Sequence, residues 1–213
     1  MPHHIQDFSL IETILWEKRD FFLLDLHLER LEKSARFFGF PFEWDKVLGA
    51  LEKTASTLSP DKDHRVRMLL GPLGNVSIAH SPLEPAGEVP FRASVSDKQT
   101  DPEDIFLYHK TTKRDLYDTE HAECRKAGFF DVIFLNKRTE IAEGAITNIM
   151  IKKAEEYWTP PVSSGLLPGV FREYLLRMQA LPLKEKVLRM EDLENADMVY
   201  LINSVRKIVP VEL

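Results

Sequence analysis

The sequence predicts a mixed helix-and-strand fold in two lobes, and three observations lead there. Strand-like and helix-like stretches alternate along the chain. A polar stretch bearing a proline, SDKQTDPED over 96–104, reads as a linker between lobes at 1–95 and 105–213. A chain with only 9 glycines places Gly165 and Gly169 on either side of Pro168 in GLLPGVFREYLL, directly before an amphipathic helix.

The elements follow in order. SLIETILWE (9–17) reads as a strand, and RDFF (19–22) as a turn with a short strand. LDLHLERLEKSARFFGF (24–40) is a helix. Its Leu24, Leu28, Leu31, Ala35 and Phe38 recur at helical spacing, and Gly39 is a fit stop. WDKVLGALEKTAST (44–57) is a second helix. HRVRMLLGPLGNVSIAHSPL (64–83) gives two strands around a Gly-Pro-Leu-Gly-Asn turn, and FRASVS (91–96) is another strand. Past the linker, IFLYHK (105–110) reads as a strand, LYDTEHAECRKAG as a helix, and FDVIFLN, AITNIMI and EYWTP as strands. The helix VFREYLLRMQ (170–179) follows, and the strand MVYLINS (198–204) closes the pattern. There is no internal repeat.

Composition narrows the function. The chain has 213 residues, is 44% hydrophobic, and spreads 34 acidic and 28 basic residues to a net charge of −6. That balance speaks against a nucleic-acid surface. The single cysteine, Cys124, can form no internal disulfide, which suits a reducing, cytoplasmic setting; it reads as an ordinary helix residue. MPHHIQDF carries no secretory signal, and no stretch has the length of a membrane span. His3 and His4 have no ligand partner nearby, so no metal site is expected.

Several residues could carry chemistry, and each has a plainer role beside it. Strand alternation would put Phe106, Tyr108 and Lys110 on one face, where a desolvated Lys110 amine would be nucleophilic; otherwise it is a lysine at a strand end. Glu143 precedes Gly144, where a bulge or close backbone approach could turn the carboxylate inward near Asn148; otherwise it is a surface acid beside a turn. Arg30 flanks the apolar stripe with His27 and Ser34, and could grip a phosphate; otherwise it pairs with Glu29 or Glu32. Asn203 and Ser204 end an apolar strand, where they either cap a turn or offer donors to a phosphate. The Gly-rich turn before Val170 would present a helix N-terminus to an anion. Together these are the parts that pyridoxal phosphate needs: amine, carboxylate, arginine, helix start and hydroxyl turn.

HLERLEKSA, HKTTKRDLYD, EGAITNIMI, TPPVSSGLLPGVFRE and INSVRKIVPV, in that order, resemble the class IV aminotransferases, the fold-type IV pyridoxal-phosphate enzymes. The resemblance implies an α+β fold with a small N-terminal α/β sandwich and a C-terminal pseudo-barrel lobe. It implies that Lys110 is the Schiff-base lysine, that Glu143 binds the pyridine nitrogen with Asn148 in support, and that Arg30 contacts the phosphate. Val170 and Phe171 would give backbone amides to the phosphate, Asn203 and Ser204 a second wall, and Leu167 a flat contact on the ring. The sequence departs from the family pattern in a shortened N-terminal strand and loop, and in Phe171 where a threonine is frequent. SLIETILWE, HKTTKRDLYD and NSVRK are most similar to the aminodeoxychorismate lyase branch. That implies a lyase yielding a folate precursor, a homodimer, and a link to an aminobenzoate synthase subunit; an aminotransferase or a non-catalytic partner-binding homologue remain on the same scaffold. A substrate with two carboxylates needs fixed cations, and Arg67 on the strand HRVRMLL and Arg206 in NSVRK are candidates, with Tyr108 lining the same space.

Overall fold

The computed structural model describes residues 7–84, 91–178 and 181–213. His3, His4 and Gln179 lie outside the described residues. The chain forms two compact units, Met1–Pro85 with His109–Lys113, and Ala86–Tyr108 with Arg114–Leu213.

In the first unit SLIETILWE becomes β1 (Leu10–Glu17), followed by β2 (Asp20–Phe21), α1 (Leu24–Phe38), α2 (Trp44–Ala55), β3 (His64–Leu70) and β4 (Val76–Pro82). The strands make an antiparallel sheet in the order β2-β1-β3-β4. α1 buries Leu28, Leu31 and Ala35 of the expected stripe. Gly39 ends it at φ 73°, a left-handed conformation that costs glycine nothing. β3 alternates cleanly, with Val66, Met68 and Leu70 buried and Arg65 and Arg67 exposed. Slipping that register by one residue would expose the apolar set, at about 1.5–3 kcal/mol for each large side chain.

The second unit holds β5 (Phe91–Thr100), a 3₁₀ turn (Ile105–Tyr108), α3 (Asp115–Lys126), β6 (Asp131–Asn136), β7 (Ile141–Gly144), β8 (Asn148–Lys153) and β9 (Glu156–Thr159). A second 3₁₀ turn (Val162–Ser164), α4 (Val170–Met178), β10 (Leu183–Glu185), α5 (Met190–Glu194), β11 (Met198–Asn203) and β12 (Lys207–Glu212) complete it. Its eight strands are ordered β10-β9-β8-β11-β12-β5-β6-β7. In a flat sheet β7 and β8 would lie five strands apart, roughly 24 Å. Only residues 145–147 join them, a reach of about 14 Å. The sheet therefore curls, as the pseudo-barrel expectation requires. Ile133, Ile141, Ile149, Leu188 and Leu201 pack together in its core.

Three details differ from the sequence reading. The stretch 96–104 is not a linker throughout, because β5 continues to Thr100 and pairs with β6 on both sides of an irregularity between Val95 and Gln99. Asp97, Lys98 and Gln99 are exposed there, so the strand tolerates polar residues. IFLYHK is not a strand. Asp101 and Asp104 accept hydrogen bonds from the amides of Glu103 (3.0 Å) and Phe106 (2.9 Å), and these turns start the 3₁₀ segment. Phe106, Tyr108 and Lys110 thus share no strand face. The short elements β7, β10 and α5 were not anticipated, and β12, not β11, is the final strand.

Candidate active site

In the first unit the buried carboxylate of Glu12, on β1, organises the cluster. Arg30 on α1 donates Nε to Oε1 (2.9 Å) and Nη2 to Oε2 (2.7 Å). His27, one turn earlier on α1, places Nδ1 2.6 Å from Oε2. Arg30 is thus paired with an acid on a different element. Burial alone would raise the Glu12 carboxyl, but the Arg30 and His27 contacts hold it down at about 2. Burial lowers the pKa of His27 below its ordinary value, so we assign it as a neutral ring donating from Nδ1. Its buried Nε2 meets no hydrogen-bonding partner among the described residues.

Lys110 belongs to this unit through its backbone. Its carbonyl accepts from Ile11 N (2.8 Å), Leu10 bridges Thr111, and Thr112 N donates to Ser9 O (2.9 Å). This register sets Lys110 opposite Ile11, the residue before Glu12. Beside it, Ser34 Oγ lies 2.9 Å from His109 Nδ1. Arg67 stands opposite Thr13 on β1, two residues beyond Ile11 and hence on the same sheet face, away from Glu12.

In the second unit Glu143, at the end of β7, is 7% exposed. Its Oε2 accepts from Leu167 N (3.0 Å) and, at 3.5 Å, from Asn148 Nδ2; its Oε1 accepts from Tyr117 OH (3.0 Å). Asn148 also donates to the Leu167 carbonyl (2.9 Å). The inward acid beside Gly144 is therefore found, and so is the close approach: a Cβ on Gly144 would strike Thr147 Oγ1 and Asp131 Oδ2. Buried Asp131 gathers that turn, accepting from Thr147 Oγ1 (2.7 Å), Ala145 N (3.1 Å) and Ile146 N (3.2 Å).

The tight entry into α4 has a local cause. Gly165 adopts φ 79° and lies against Pro102, while a Cβ on Gly169 would collide with Asn148 Oδ1. The first helical bond runs from Glu173 N to Gly169 O. The amides of Val170, Phe171 and Arg172 thus precede the helical ladder, at its positive end.

The remaining candidates are placed as follows. Asn203 caps a turn: its Oδ1 accepts from Val205 N (2.9 Å) and Arg206 N (2.7 Å), and its Nδ2 donates to Ile146 O (3.3 Å). Ser204 is buried in that turn, and Arg206 is half-buried. Tyr108 donates its hydroxyl to Pro102 O (2.6 Å). Sequence reasoning missed Glu12, Asp131 and Tyr117. Only the polar character of residues set within apolar stretches could have flagged them.

The donor set fits pyridoxal phosphate on chemical grounds. Glu143 is a buried acid fixed by neutral donors, adjoining a helix start cleared of side chain at Gly169. The first unit, taken by itself, carries an amine in Lys110 and a guanidinium in Arg30 whose orientation is set by Glu12. Among the described residues no group of acids, histidines and cysteines could hold a metal ion, and no helix is long and apolar enough to cross a membrane.

The chain is similar to several known proteins. A Schizosaccharomyces pombe protein provisionally named an aminodeoxychorismate lyase is 27% identical over 96% of this chain and 89% of its own length. A Thermotoga maritima protein provisionally named a branched-chain-amino-acid aminotransferase is also 27% identical, over 95% of this chain and 76% of its own. A crystal structure from Mesorhizobium loti, provisionally named an amino-acid aminotransferase, superposes with a TM-score of 0.90 at 30% identity, covering 97% of this chain and 100% of that one. The amino-transferase class IV model matches residues 9–213, and the chain belongs to that family of pyridoxal-phosphate-dependent enzymes.

Proposed function

We propose that this chain is a pyridoxal-phosphate-dependent lyase that converts 4-amino-4-deoxychorismate to 4-aminobenzoate and pyruvate. The observation that carries the reading is the buried Glu143 network with Leu167 and Asn148, built onto the start of α4. The choice of lyase is supported by the HKTTKRDLYD stretch, whose Arg114 and Tyr117 reach the Glu143 region, and by the S. pombe relative.

Bound here, pyridoxal phosphate supplies an electron sink for charge developing beside the substrate nitrogen. Lys110 would anchor it, Glu143 would keep a proton on its ring nitrogen, and Leu167 would pack against the ring. Arg30, the amides of Val170 and Phe171, and the Asn203–Ser204 turn would hold its phosphate. The amine of Lys110 would take the proton from the substrate ring carbon that bears the amino group. The bond from the neighbouring carbon to the enolpyruvyl oxygen then breaks, leaving an aromatic ring and an enol that is reprotonated to pyruvate. Arg67, Arg206 and Tyr108 line the substrate side, with the two guanidinium groups on its carboxylates.

The enzyme works as a cytoplasmic homodimer in this reading, with an aminobenzoate synthase subunit as the source of substrate; light scattering at micromolar concentration should give twice the chain mass. The M. loti likeness favours a second reading, an aminotransferase. Amino-acid donors separate the two. The lyase keeps its visible chromophore when donors are added, whereas an aminotransferase bleaches and releases keto acid.

A further inference from the structure

Tyr117 takes no part in the reaction steps set out above. It lies on the first turn of α3, and its hydroxyl donates to Glu143 Oε1 at 3.0 Å. Its ring is held on two further sides. Phe134 meets it edge-on, with centroids 4.8 Å apart, and the Arg114 guanidinium lies 5.7 Å from the ring centroid. Arg114 is fixed in turn: Nη2 donates to the Ala145 carbonyl (2.7 Å) and Nε to Asp118 (2.7 Å). One side chain therefore ties the α3 start to the turn that follows Glu143. The phenol is a dependable donor, because burial and the adjacent Glu143 charge push its pKa well above the ordinary value.

We propose that Tyr117, held by Arg114 and Phe134, is a positioning residue that acts through Glu143, fixing the carboxylate and stabilising its ionised form so that it faces the cofactor ring nitrogen in one orientation. The inference rests on the reading that Glu143 is the ring-nitrogen partner. Two oxygens, each with its own donor, leave the carboxylate little freedom to rotate. Leu167 N fixes Oε2 and Tyr117 fixes Oε1. A donor to the ionised acid also makes it a weaker proton acceptor, so the proton stays on the ring nitrogen. In HKTTKRDLYD, then, the lysine carries the covalent anchor while the arginine and tyrosine further along set the acid.

The test titrates pyridoxal phosphate into apo-protein for the wild type, Tyr117→Phe and Glu143→Gln, following visible absorption. Phenylalanine keeps the ring packing and removes only the donor. We expect Tyr117→Phe to bind about tenfold more weakly, with the bound absorption maximum moved in the same direction as in Glu143→Gln and by less. The unfolding midpoint of the apo-protein should stay near wild type. A purely structural tyrosine would lower that midpoint and leave the bound spectrum untouched, which would overturn the proposal. Wild-type affinity and spectrum in Tyr117→Phe, alongside a disturbed Glu143→Gln, would also overturn it while sparing the assignment of Glu143. Wild-type affinity and spectrum in Glu143→Gln would bring down both.

Discussion

Glu12 and Glu143 are both buried acids, one in each unit, and the contacts that hold them differ. Glu12 is gripped by a guanidinium and an imidazole on α1. The donors to Glu143 described above are neutral: a phenol, a backbone amide and a side-chain amide. The first arrangement spends the carboxylate's charge inside the protein, to aim an arginine. The second fixes the geometry of the carboxylate through a hydrogen bond to each of its oxygens. The same residue type thus aims a guanidinium in one unit and, in the proposed reading, meets the cofactor ring nitrogen in the other.

The largest expected effect falls on neither acid but on the amine. Lys110→Ala should abolish the borohydride-reducible visible chromophore while circular dichroism stays native, since alanine supplies no nitrogen. A reducible chromophore in that variant would move the anchor elsewhere.

The acids themselves separate next. Glu12→Gln leaves Arg30 and His27 without their anion, and should cost about 3 kcal/mol of stability in denaturant unfolding. Glu143→Gln should cost about 1 kcal/mol through the hydrogen bonds it disturbs. Equal losses would break the comparison. Acid unfolding sharpens it. The Glu12 carboxyl sits at about 2 in the folded chain, below its ordinary 4.5. Its contribution, up to about 3 kcal/mol, is present above the ordinary value and is lost as the pH falls from there toward 2. Wild type should therefore lose stability over that window more steeply than Glu12→Gln.

Smaller effects should come from the substrate side. Arg67→Lys and Arg206→Lys keep the charge and lose the fork, so kcat/KM should fall about ten- to a hundredfold with cofactor content unchanged. If both variants retain wild-type kcat/KM, neither arginine reads the substrate carboxylates.

Much of this was legible in the sequence wherever the signal was local. The stripe of α1, its Gly39 stop, the β3 alternation and the glycines before α4 all follow from spacing and backbone freedom. Contacts between distant residues were not legible. Arg30 has acidic neighbours on its own helix, yet it pairs with Glu12 on β1, eighteen positions away. β5 runs on through polar residues because β6 pairs with it, a tertiary cause that overrides propensity. IFLYHK looked like a strand because its apolar run is short, while the aspartate turns that make it a 3₁₀ segment lie in the stretch read as linker. Tyr117 carried no periodic signal at all; its role depends on a carboxylate 26 positions later.

The most direct test of the central claim is product analysis. The holoenzyme is incubated with 4-amino-4-deoxychorismate, and pyruvate and 4-aminobenzoate are quantified, with amino-donor and keto-acid mixtures as controls and Lys110→Ala alongside. The account predicts equimolar release of both products by wild type, none from the variant, and no transfer in the controls. Inert 4-amino-4-deoxychorismate together with turnover of an amino donor and keto acid would contradict it.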